Sequence, residues 1–98
     1  MGGKQFEADE CGRTIFGEFI RAARPDAQLS WDHEVARQIH IAFIQRPGRK
    51  RIYIEISQEA FDEATVDRES RLRLAREVRQ QLRLSESGKG IGLVKERR

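Results

Sequence analysis

The sequence predicts an α+β domain: a three-stranded antiparallel meander covered by two helices, in the order α-β-β-β-α, with a flexible C-terminal tail. Three observations lead there. The segments VARQIHIAFIQ and RIYIEIS alternate in character around the basic turn RPGRK, as the arms of a β-hairpin do. Helical spacing precedes them over 8–23 and follows them over 68–83. An open sheet with an oily side needs a second layer, and two amphipathic helices supply it as a two-layer sandwich.

Taken in order, residues 1–7 are polar and glycine-containing and read as a loose N-terminus; 8–84 form one domain; 85–98 read as a disordered tail carrying Gly88, Gly90 and Gly92. In the first helix Ala8, Cys11, Ile15, Phe19 and Ala22 share a face, flanked by Phe16 and Ala23, with Cys11 among the apolar residues. Arg13, Glu18, Arg21 and Arg24 point away, and Pro25 supplies the stop. Gly12 and Gly17 weaken this helix, each by about 1 kcal/mol relative to Ala. Ala27, Leu29 and Trp31 alternate with Gln28 and Ser30 as a short strand; the alternative makes Ser30 the cap of a helical turn through Trp31, Val35 and Ile39.

In the hairpin, Phe43 opposite Ile52 sets Ile41 against Ile54 and Ile39 against Ile56, with Pro47 and Gly48 mid-loop. That register places all six on one face and leaves Gln38, His40, Ala42, Tyr53 and Glu55 to water. Ser57 then caps a short helix through Phe61 and Ala64. Asp67 caps a longer one whose stripe is Leu74, Ala75, Val78 and Leu82. Arg71 projects into that stripe, so either the core contact starts only after it or its stem snorkels around the edge.

Charged residues make up 36% of the chain and apolar ones 38%, which implies a small core under a dense polar skin. The net charge of +3 permits an acidic partner without requiring one. A lone cysteine, Cys11, excludes an internal disulfide and suits a reducing, cytoplasmic setting. No apolar run is long enough for a membrane span. The N-terminal residues lack a signal peptide's apolar core, and Phe6 stands where a myristoylation motif has Ser or Thr.

Two basic groups are the candidate anion or nucleic-acid contacts: Arg46, Arg49, Lys50 and Arg51 at the hairpin tip, and the row Arg68, Arg76, Arg79 and Arg83 on the closing helix. No aromatic residue is interleaved with the row, so base stacking lacks support, and a solvated charged surface is the commoner explanation of both groups. His33 lies between Asp32 and Glu34, and His40 on the polar side of the hairpin. A metal-dependent enzyme using this pair is a third reading, but no ligand pair has motif spacing. The acidic stretch 59–67 lacks a calcium-loop pattern, and Gly88-Lys89-Gly90-Ile91-Gly92 lacks the strand and helix of a phosphate loop. No catalytic residue, metal or cofactor is expected.

The run Cys11-Gly12-Arg13-Thr14-Ile15-Phe16-Gly17, the Ile-rich strand ending at Ser57 and the Arg-rich closing helix together resemble a small uncharacterised family of β-proteobacterial proteins, over most of the chain outside the tail. The resemblance implies a bacterial cytoplasmic protein with no catalytic residues to carry over. The element order is also similar in layout to the double-stranded-RNA-binding domain. That family's lysine-rich helix start is replaced here by Asp67-Arg68-Glu69-Ser70-Arg71, and its loop signature by Asp32-His33-Glu34. The sequence therefore favours a non-enzymatic module acting through its surface, on a protein partner or on itself, with nucleic-acid binding as the alternative.

Overall fold

The computed structural model describes residues 3–88 and 92–94. A long helix, α1 (Gly3–Ala23), leads into the strands β1 (Gln28–Glu34), β2 (Ile39–Gln45) and β3 (Ile52–Ser57). Two helices follow, α2 (Gln58–Val66) and α3 (Arg68–Glu86), and then a short strand, β4 (Gly92–Val94). The sheet order is β1-β2-β3-β4, antiparallel except for β4, which runs parallel to β3. The α+β two-layer architecture is the expected one, and residues 28–31 resolve as strand rather than helical turn. Added to it is a fourth strand, and the short helix expected after Ser57 is present as α2.

Local signals explain the helix boundaries. The Ser57 hydroxyl accepts the Ala60 N–H at 3.1 Å, and the Asp67 carboxylate accepts that of Glu69 at 3.1 Å, so each cap satisfies a donor its helix leaves open. Arg71 runs alongside the core and its Nε donates to the Ala64 carbonyl at 2.6 Å, closing the end of α2 with the snorkelling stem the sequence suggested. The buried Ser70 hydroxyl lies 2.6 Å from both the Glu63 and Asp67 carboxylates, tying α3 back onto α2.

The core lies between the sheet and all three helices. Phe16 and Ile20 from α1, Ala60, Phe61 and Ala64 from α2, and Leu74, Val78 and Leu82 from α3 meet Ala42, Ile44, Ile54 and Ile56 from the sheet. Phe61 is its hub. Its ring stacks on Phe16 with centres 5.2 Å apart and on His40 at 3.8 Å, and meets Trp31 edge-on at 5.8 Å. Complete burial of such a side chain contributes about 1.5–3 kcal/mol.

The hairpin register differs from the expected one by a single residue. Ile44 faces Ile52, Ala42 faces Ile54 and His40 faces Ile56, so His40, Ala42 and Ile44 turn toward the helices while Ile39, Ile41 and Phe43 take the other side. The reason is volume. Trp31 is the cross-strand partner of Ala42 and leans on Phe61, and a larger side chain at 42 would compete with both. Ile41 and Ile54 are thus on opposite faces, contrary to expectation.

The face of α1 is also rotated from the expected one: Gly12, Phe16 and Ile20 are buried, Ile15 and Phe19 flank them, and Cys11 is exposed. Gly12 is the cause. A Cβ there would stand 2.8 Å from Phe61 Cγ, so only glycine lets the ring lie against the helix. At the ends, α1 begins at Gly3 rather than Ala8, and α3 continues through Glu86 rather than ending near Leu84. The expected tail is ordered over Gly92–Val94 as β4; the rest of that expectation, at 89–91 and 95–98, lies outside the described residues.

Candidate functional site

All three helices pack on one face of the sheet. The opposite face displays Ile39, Ile41 and Phe43 along β2, with Tyr53 and Glu55 beside them on β3 and Gln28, Ser30, Asp32 and Glu34 on β1, because successive strand residues alternate sides. None of its apolar residues belongs to the core cluster. Tyr53 is 37% exposed, and its ring lies 5.9 Å from that of Phe43. The Arg51 guanidinium sits 4.5 Å from the centre of the Phe43 ring, and Arg37 reaches Glu34 at 3.2 Å and Glu55 at 3.4 Å. The result is an apolar strip bordered by charges of both signs.

The expected basic tip is only partly free. Arg46 donates to Asp26 at 2.8 Å and to Glu86 at 3.2 Å, and Glu86 also accepts Arg24 in a paired contact. The Arg24 hydrogen bonds hold the Glu86 carboxyl below its ordinary range, and the Arg46 bond does the same for Asp26. Arg46 therefore staples the hairpin to the end of α3, and Arg51 is engaged with Phe43. Arg49 and Lys50 remain at the surface, as do Arg68, Arg76, Arg79 and Arg83. The tip and the helix row are not one patch of uniform kind. What the fold does create is a cavity of about 250 Å³ where the tip meets α3, lined by Arg46, Arg49, Lys50 and Arg51 over Ile44 and Ile52.

A third grouping emerges only in three dimensions. His33 and His40 are cross-strand partners on the covered face, their rings parallel within 8° and 4.2 Å apart. His40 is completely buried between His33 and Phe61. Its Nε2 lies 2.6 Å from Gln58 Oε1, so Nε2 carries the proton, and Nδ1 has no hydrogen-bond partner among the described residues. Burial pushes the His40 pKa down, against the opposing pull of the Gln58 hydrogen bond. The Gln58 amide donates to Asp9 and to Asp62, each at 3.1 Å, and Asp9 Oδ1 lies 3.8 Å from His40 Nε2. Sequence spacing concealed this cluster because Asp9 comes from α1 and the histidines meet only through the turn over 35–38. Pairing β1 with β2 in register was the signal that could have found it.

Among the described residues no helix is long and apolar enough to cross a membrane. No protein-family model, curated protein or solved structure matches the chain.

Proposed function

We propose that the chain is a non-enzymatic interaction module that works by self-association, a second copy covering the open face of the sheet. One observation carries this reading: the Ile41–Phe43–Tyr53 strip lies outside the core yet spans the middle of the sheet. A two-fold contact sets the same surface against itself, which calls for both signs of charge within it. Arg37 and Arg51 supply the positive charges of this face and Asp32, Glu34 and Glu55 the negative ones. Such a face measures about 15–20 Å by 20–25 Å, at the small end of specific interfaces, so the dimer is concentration-dependent. Sedimentation of the untagged chain across a concentration series tests it. The weight-average mass should climb toward that of a dimer, and a Phe43→Ser/Tyr53→Ser variant should stay monomeric while keeping its fold. A wild-type chain that remains monomeric at the highest concentrations ends the reading.

The cavity at the hairpin tip supports a second reading, contact with the phosphates of a nucleic acid in a cytoplasmic setting. An Arg49→Glu/Lys50→Glu variant then loses retardation of DNA and RNA at low salt. Absence of retardation in the wild type removes this alternative.

A further inference from the structure

The geometry points to a binding site for a divalent transition ion of the zinc class at Asp9, His33 and His40. One donor atom from each residue lies within 4.8 Å of the others, and the three side chains come from α1, β1 and β2. Two imidazoles and a carboxylate are a donor set that suits zinc, copper or nickel and does not suit magnesium or calcium.

Three further features of the cluster fit that role. Both histidines hold a buried ring nitrogen without a hydrogen-bond partner among the described residues: Nε2 of His33 and Nδ1 of His40. Buried ring nitrogens are ordinarily satisfied, and bare lone pairs are what a metal requires. Second, Gln58 orients two of the three donors at once, accepting from His40 Nε2 and donating to Asp9 Oδ1. Fixing one ring nitrogen by a hydrogen bond is how proteins commit the other to a metal. Third, His40 is held rigid by its place between two rings, so its ring nitrogens keep fixed directions.

The same geometry makes a specific demand. A ring nitrogen directs its lone pair in the plane of the ring. Two parallel rings 4.2 Å apart send their lone pairs along lines that do not meet, so one ion cannot take both as they stand. One ring must turn. His40 is clamped against Phe61 and has no room. His33 is the outer ring, half-buried on β1 at the edge of the sheet. Binding therefore turns His33 out of the stack and draws it toward Asp9. Arg13, close enough to act electrostatically on His40, opposes a dication and limits the affinity.

Titration of the untagged chain with Zn²⁺ by calorimetry, with Mg²⁺ in parallel, tests the assignment. One Zn²⁺ per chain is expected, and no response to Mg²⁺. His33→Ala and Asp9→Asn should abolish the binding, and Gln58→Ala should weaken it by about 10–100-fold. Circular dichroism checks that each variant is folded, and His33→Ala removes only the outer ring. Imidazole NMR signals should show the larger change at His33. Absence of Zn²⁺ uptake by the wild type overturns the site. So does uptake undiminished in both His33→Ala and Asp9→Asn, or uptake that disappears instead with Cys11→Ser.

Discussion

The two faces of this sheet are built from the same strands and the same residue types, yet they carry different weight. On the covered side Ile54 and Ile56 are wholly buried under three helices. On the open side Ile41 and Phe43 are only half-buried, with Arg51 lying against Phe43. Isoleucine content does not distinguish them. What does is which set of alternating residues has volumes that fit the helices, and Ala42 beside Trp31 decides that. An apolar strand face can thus be core or surface depending on a single register choice.

The sharpest way to break the comparison is one truncation on each side. Ile54→Ala leaves a cavity in a packed core and should cost about 2–5 kcal/mol in urea denaturation. Ile41→Ala, on the same sheet, should cost no more than about 1 kcal/mol, because little further area is exposed by the change. Equal losses would mean that the open face is structural and would weaken the case for self-association.

Next in size is Gly12→Ala. Helix propensity alone favours alanine by about 1 kcal/mol. The added methyl meets the Phe61 ring, which cannot retreat because Phe16 and His40 hold its faces. Overpacking of this kind costs about 1–3 kcal/mol, so thermal unfolding should show a net loss. A gain would mean that the Phe61 ring stands clear of Gly12.

These two positions also show what the sequence could and could not reveal. Ser57 and Asp67 were legible as caps because a cap is decided within three residues of chain. The α3 stripe was legible because three of its four members, Leu74, Val78 and Leu82, repeat at helical spacing without competition. Register, the face of α1 and the His33–His40 contact were not, since each depends on residues distant in sequence: Trp31 against Ala42, Phe61 against Gly12, and β1 against β2. A glycine counted as a weakness of α1 was in fact the position where the Phe61 ring lies against it. The basic tip was visible as charge, but its partners Asp26 and Glu86 could not be, so Arg46 looked free when it is engaged.

Acid should act on the covered side through the ion pairs that seal its border. Arg24 hydrogen bonds lower the Glu86 pKa from its ordinary 4.5, and the Ser70 hydroxyl, then Arg73, does so for Glu63. A lowered folded-state value means both groups stabilise the fold above 4.5 and lose that contribution as pH falls through the folded values. The urea midpoint should therefore drop on acidification below 4.5, and Glu86→Gln should flatten the drop. Glu86 stands partly in solvent, which limits its share to about 1 kcal/mol or less. A midpoint indifferent to acid would separate the border pairs from the stability of the core.

The smallest effect concerns the turn that sets the register of the two faces. Gln38 has φ of 56°, a left-handed conformation disfavoured for a side-chain-bearing residue. It is kept there by neighbours: its N–H donates to the Val35 carbonyl at 3.1 Å, and its carbonyl accepts the Gln58 N–H at 2.8 Å. That second bond ties the β1–β2 turn to the start of α2, so the turn cannot relax without shifting His40 and Ala42 relative to the helices. Gln38→Gly removes the strain and keeps both backbone bonds, and should stabilise by about 0.5–1 kcal/mol. Gly48, at φ 68° in the β2–β3 turn, offers the converse test: a Cβ there meets nothing, so Gly48→Ala loses about 1 kcal/mol through backbone strain alone. A loss at Gln38→Gly, equal in sign to that at Gly48→Ala, would mean that the Gln38 side chain itself holds the register, and that the division between the two faces is decided at this turn rather than by Ala42.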